Sequence, residues 1–159
     1  LKIAAASTAD LLDRQFALRV DEAHNMGLPE TLVPYGGSGV KGLQMACSAL
    51  TQQAIQRSFS DAVLSRSTEC ANQDKVSMGL QAALSASEIV SLLTRALATE
   101  LIALSNAAGF RDETKISPAS RALLREIRKR SSVLSVRDRP LDSDIERLYR
   151  WLVDGGAAR

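Results

Sequence analysis

The chain has 159 residues, 45% of them hydrophobic and only 4% aromatic, with a formal net charge of +2. That length allows one domain with a real core, the near-neutral charge argues against a strong polyelectrolyte partner, and the composition favours alanine- and leucine-rich helices over a β-rich fold. His24 is the only histidine, which excludes a histidine-rich metal site and argues against a Ser-His-Asp triad.

The start, LKIAAASTADLLDRQF, lacks the basic-then-apolar layout of a secretory leader. No uncharged apolar run reaches the roughly 20 residues of a membrane helix. Cys47 and Cys70 fit no zinc or redox spacing and read as reduced thiols, Cys70 as a small buried filler, so a cytoplasmic protein is expected.

The pattern predicts an amphipathic helix over 8–24, with Leu11, Leu12, Phe16, Leu18 and Val20 as its apolar stripe. A Gly- and Pro-rich loop follows, then a second helix over 40–64. Residues 42–56 of that helix, GLQMACSALTQQAIQ, carry no charge, which predicts burial on most sides. SRSTECANQDK reads as another loop. The longest helix is expected over 76–108, with Glu88, Arg95 and Glu100 as its only charges. It would span roughly 50 Å and is too apolar for a surface, so it reads as the central helix of a bundle, covered in part by other chains or by further residues of its own. Ser117 and Pro118 are a helix-start pair. A capping box is expected from Ser143 to Glu146, and Gly155-Gly156 as the stop of the last helix. The whole reads as an all-α chain of about five helices.

Gly37-Ser38-Gly39-Val40-Lys41-Gly42 matches the G-x-G-x-x-G fingerprint of dinucleotide folds, with Asp61 at the spacing of its acid. The fingerprint works only inside a βαβ unit, where strand, turn and helix converge on a pyrophosphate. Nothing downstream alternates strand and helix, and Pro34 interrupts the one strand-like run. The glycines read instead as a flexible entry to a buried helix. Arg121, Arg125, Arg128, Lys129 and Arg130 form a basic helix, but no aromatic residues interleave with them, so a solvated face is expected and no nucleic-acid partner.

Three stretches in order, GLPETLVPYGGSGVKGLQMACSAL, STECANQDKVSMGLQAA and DRPLDSDIERLYRWL, resemble the aromatic amino acid ammonia-lyases and aminomutases. The most specific part is the Asn72-Gln73-Asp74 loop with Ser77-Met78-Gly79 after it. The resemblance implies long central helices of a helical-bundle lyase fold and a homotetramer with active sites shared between subunits. It also implies a methylidene-imidazolone electrophile, made from an internal Ala-Ser-Gly, that removes ammonia from histidine, phenylalanine or tyrosine or shifts the amine. No Ala-Ser-Gly occurs here. Residues 1–159 are therefore expected to be the C-terminal helical region of such an enzyme, its electrophile-bearing region upstream, and silent alone. No metal is implied.

By the same resemblance Gln73 hydrogen-bonds near the electrophile, where a neutral amide can donate without titrating. Glu69 holds the substrate ammonium or accepts its proton, or is a solvated loop acid. Asn72 lies beside the substrate or braces the loop. Lys41 and Met45, one helical turn apart, line the pocket for the substrate side chain. A lysine at the first position is the phenylalanine-type choice, although Met45 also suits plain core packing. Tyr35 either reaches the site or packs on a helix end. Asp74-Lys75-Val76 and Ala71 depart from both the histidine and the plant phenylalanine branches, so substrate, and lyase against mutase, stay open. The alternative is a stand-alone helical interaction protein without activity.

Overall fold

A computed structural model describes residues 1–156. Five α-helices form: α1 (Lys2–Val20), α2 (Lys41–Arg57), α3 (Gly79–Ala108), α4 (Pro118–Arg128) and α5 (Asp142–Val153). Among the described residues no strand forms, only one isolated bridge between Thr68 and Gln73. The all-α expectation holds, while the helix ends differ from it for local reasons. Alanines 4–6, strong helix formers, extend α1 backward. Its far end stops at Val20, because the Asp21 side chain accepts the Ala23 N–H at 3.0 Å and competes with the helix ladder. α2 stops at Arg57, where the Ser58 hydroxyl donates to the Ile55 carbonyl at 2.7 Å, and a short 3-10 turn follows at Asp61–Leu64.

Ser117 caps α4 as expected, accepting the Ser120 N–H at 3.1 Å. The capping box at Ser143 does not form. α5 begins one residue earlier, at Asp142, and the Glu146 carboxylate is taken by Arg95 at 2.6 Å and Arg150 at 3.2 Å. Gly155, at φ +72°, ends the chain's last helix as the sequence suggests.

The first three helices run up, down and up. Asp13 accepts the Ser48 hydroxyl at 2.5 Å and Thr51 donates to the Ala9 carbonyl at 3.2 Å, so α1 and α2 are antiparallel. The Cys47 thiol meets the Ala96 carbonyl at 4.0 Å and Arg57 meets Glu88 at 3.0 Å, so α2 and α3 are antiparallel too. α5 packs back along α3 through Ser91 to Tyr149 at 3.0 Å and the Arg95–Glu146 pair. The main core gathers Phe16, Leu43, Cys47, Ile102, Ile127 and Leu148. A second contact, built on alanines 5, 6, 9 and 54 around Ile89, lets the helices approach closely at the other end.

Burial of α2 is one-sided. Leu43, Cys47, Thr51 and Ala54 face the core, whereas Gln52 and Gln53 on the far side are exposed. An uncharged helix with glutamines on one face keeps that face compatible with water, which absence of charge alone does not reveal. Among the buried carboxylates, Glu100 and Asp144 each pair with an arginine outside their own helix. Glu100, 2% exposed, pairs with Arg19, and its Oε2 has no partner among the described residues. Burial pushes Glu100 upward against the opposing pull of Arg19. Asp144 accepts Arg139 Nη2 at 2.6 Å and the Ser131 hydroxyl at 2.7 Å, and is also paired with Arg147. Burial alone would raise its carboxyl, but these partners together hold it below the ordinary range. Among the described residues no helix is long and apolar enough to cross a membrane.

Candidate functional site

The Asn-Gln-Asp loop hangs between α2 and α3. Its base is pinched at Ser65, whose hydroxyl donates to the Val76 carbonyl at 2.7 Å and accepts the Val76 N–H at 2.9 Å. This tie keeps Val76 out of α3, which starts at Gly79, three residues later than the sequence pattern suggests. Higher up, Thr68 and Gln73 exchange backbone hydrogen bonds at 3.0 and 3.2 Å, closing a tight tip over 69–72. Glu69, Cys70 and Ala71 all take left-handed backbone angles, φ +53°, +53° and +67°. Each costs a residue other than glycine roughly 1–2 kcal/mol, and such strain clusters where function needs a fixed shape.

Within this tip the Asn72 amide donates to the Glu69 carboxylate at 3.3 Å, and the Asn72 N–H donates to the Glu69 carbonyl at 3.0 Å. Asn72 thus braces the loop and orients Glu69. The Gln73 backbone is committed to Thr68, while its side chain is exposed. Cys70 is also exposed and not a buried filler, because the left-handed turn carries it to the tip. Cys47 is the buried thiol, pushed up to about 11 chiefly by desolvation.

Lys41 and Met45 sit in the first two turns of α2. Lys41 Nζ meets Glu30 at 3.2 Å, and Met45 is 74% exposed, so within this chain it is not core. The structure does not bring this pair to the Asn-Gln-Asp loop. α2 is about 25 Å long, Lys41 stands at its start, and its far end lies beside Glu88 of the antiparallel α3. Gly79 and the loop before it lie further still in that direction. The two groups of candidate residues therefore occupy opposite ends of one helical pair.

Beside Lys41, the glycine turn holds a carboxylate that the sequence reading did not single out. Asp138 accepts the Tyr35 hydroxyl at 2.7 Å, the Ser38 N–H at 2.8 Å and the Gly39 N–H at 2.9 Å. Successive N–H groups beside a left-handed residue make an anion seat, and Gly39 has φ +51°. The turn does bind an anion, but a carboxylate of its own chain. A glycine-rich turn in a chain without a βαβ unit was the available signal: its N–H groups needed an internal acceptor. Basic residues at the end of α4 and just beyond it are also partnered. Arg128 pairs with Glu113 at 2.6 Å, Arg130 with Glu126 at 3.0 Å, and Arg130 lies 4.6 Å above the Trp151 ring.

Solved structures share this arrangement. Tyrosine aminomutase from Streptomyces globisporus superposes with a TM-score of 0.92 at 31% identity, covering 99% of this chain and 30% of that one. Histidine ammonia-lyase from Trypanosoma cruzi shares the fold, with a TM-score of 0.91 at 23% identity over 99% of this chain and 31% of that one. The class is thus the helical ammonia-lyase fold. The sequence model of the family described as "Aromatic amino acid lyase" matches residues 1–129, and the chain belongs to that family. Histidine ammonia-lyase of Symbiobacterium thermophilum is 32% identical over 157 residues, 98% of this chain and 31% of that protein. Tyrosine ammonia-lyase of Cereibacter sphaeroides is 34% identical over 159 residues, 96% of this chain and 30% of that protein. The chain spans about 30% of the length of these curated relatives.

Proposed function

We propose that the protein carrying this segment eliminates ammonia from an aromatic amino acid, or shifts its amine, with these residues as its C-terminal helical region. The observation that carries the reading is the Asn72-Gln73 loop of a chain in the aromatic amino acid lyase family: a strained tip that presents a carboxylate and an amide to the outside.

A methylidene-imidazolone held by an upstream segment would supply the electrophile that activates the substrate amine for departure. The residues here fit such a group. Gln73 offers amide N–H donors to negative charge developing beside it, without a competing titration. Glu69, oriented by Asn72, holds the ammonium or takes its proton. Lys41 and Met45 line the pocket for the substrate side chain, and Lys41 favours an aryl group over imidazole. Because these two groups stand at opposite ends of α2 and α3, one copy cannot wrap a single substrate with both. A homo-oligomer, a tetramer by the family pattern, supplies the loop of one copy to the pocket of another. The half-exposed apolar side chains of α3 support the same assembly.

The test is full-length protein incubated with phenylalanine, tyrosine and histidine in parallel, followed by ultraviolet absorbance for arylacrylates and chromatography for β-amino acids. Product from at least one substrate is expected. No product from any of them overturns the reading. Gln73→Ala should lower turnover on the order of a hundredfold with little change in thermal stability. Equal loss of both would return Gln73 to a loop-bracing role. The second reading, an interaction protein without activity, is favoured by the exposed Leu80 and Leu84 alone. It predicts self-association in sedimentation with no turnover in the full-length protein.

A further inference from the structure

We propose that Asp138 is a positioning residue for the substrate pocket: its carboxylate holds the 35–39 turn and, through Ser38, sets the direction in which Lys41 leaves the start of α2. The inference rests on the reading that Lys41 lines that pocket.

The geometry is a two-step relay. Asp138 accepts three hydrogen bonds from a turn about a hundred residues away in the chain, including the Ser38 N–H at 2.8 Å. The Ser38 carbonyl in turn accepts the Lys41 N–H at 3.0 Å, a turn bond that leads into α2. Beside it the Thr31 carbonyl accepts the Val40 N–H at 3.1 Å. The turn has no slack around this relay. A Cβ on Gly39 would stand 2.1 Å from the Thr31 carbonyl oxygen, and one on Gly37 would stand 2.9 Å from both Asp138 oxygens. Only glycine lets the backbone close on the carboxylate at these two positions.

The segment that bears Asp138 is pinned from its other side. The adjacent Arg139 donates to the buried Asp144 at 2.6 Å and to the Ser132 carbonyl at 2.9 Å. Asp138 is therefore a fixed post and not a passenger of the glycine turn. Its protonation state suits the task. The Tyr35 hydrogen bond, followed by those of Gly39 and Ser38, holds its carboxyl below the usual carboxylate range. Tyr35 is pushed up to about 12, by desolvation first and the Asp138 bond and charge next, so it remains a donor at neutral pH. Charge-assisted bonds of this kind are stronger than neutral ones, which suits a joint that must hold a direction.

The experiment uses the full-length enzyme with its preferred aryl substrate, in four forms: parent, Asp138→Asn, Lys41→Ala and the double variant. In Asp138→Asn an NH2 group faces N–H donors, so kcat/KM should fall on the order of tenfold, mainly through KM. In the Lys41→Ala background the same change should cost less than about twofold, because the side chain it aims is gone. Thermal stability is measured alongside, since a purely structural strut would lower activity by the same factor in both backgrounds. That equal loss would overturn the proposal. Tyr35→Phe, which removes one bond and keeps the carboxylate, should give a smaller KM rise with the same dependence on Lys41, and it answers the question if Asp138→Asn does not fold. Kinetics sensitive to Lys41→Ala but indifferent to both Asp138→Asn and Tyr35→Phe would overturn the positioning role alone. Kinetics indifferent to Lys41→Ala would overturn the pocket reading and this inference together.

Discussion

The two halves of α3 are alike in composition and unlike in surroundings. From Ala96 to Ala107 the helix is almost wholly buried by α1, α2 and α5, with Ile102 only 1% exposed. From Gly79 to Val90 it carries equally apolar residues, yet Leu80 is 78% exposed and Leu84 and Val90 are open as well. The polar content follows the same division. The covered half contains Glu100 with its partner Arg19, and Asn106, whose side chain donates to the Ile102 carbonyl and accepts the Leu134 N–H at 2.8 Å. The open half leads directly into the strained Asn-Gln-Asp loop. One end of this helix is finished by its own chain, while the other presents leucines and the candidate catalytic loop to whatever lies next to it.

The largest test of that contrast is at Glu100. Arg19→Ala leaves a buried carboxylate without its partner and should cost about 3–5 kcal/mol in denaturant unfolding. Adding Glu100→Leu should return much of the loss. If the single variant unfolds no more easily than its parent, the covered half is not held as described. Ile102→Ala should cost about 2–5 kcal/mol through transfer and cavity terms.

Leu80→Ala sharpens the other side of the comparison. In the chain of residues 1–159 it should change stability by less than about 0.5 kcal/mol. In the assembled full-length protein a cost several times larger is expected if another surface covers the open half. Equal, small costs in both would mean that nothing covers it.

Glu100 and Asp144, both buried, respond to acid in opposite directions. Asp144 lies below its ordinary 3.8, so its contribution is present above that value and is lost as pH falls through the lower folded value. Glu100 lies above its ordinary 4.5, so its contribution is full below that value and is lost as pH rises through the folded one. Stability curves of Asp144→Asn and Glu100→Gln should therefore diverge from the parent with opposite slopes on the acid side. Parallel curves would contradict the assignment. A further effect is expected at the loop. Ala71→Gly should stabilise by about 1 kcal/mol, because glycine accepts φ +67° without a Cβ clash. A destabilising result would mean that Ala71 does not sit in the left-handed region.

Much of the fold was legible in the chain. Five helices, the cap at Ser117 and the stop at Gly155 follow from periodicity and terminal chemistry, which are local. The Asn-Gln-Asp loop was legible as a motif, and so were Lys41 and Met45 as neighbours one turn apart. Where local signals compete, the sequence pattern ran past the helix ends. Asp21, Ser58 and Ser65 each take backbone groups from a helix that apolar periodicity would continue.

What the sequence determined by itself is the set of helices and the family-specific loop, because each is a property of neighbours a few residues apart. Only the tertiary structure decided which half of α3 its own chain covers. It also separated Lys41 from Gln73 by the length of a helix pair, and seated Asp138 in the glycine turn. Those outcomes depend on antiparallel packing and on hydrogen bonds across about a hundred residues, where periodicity carries no information and geometry alone chooses the partner.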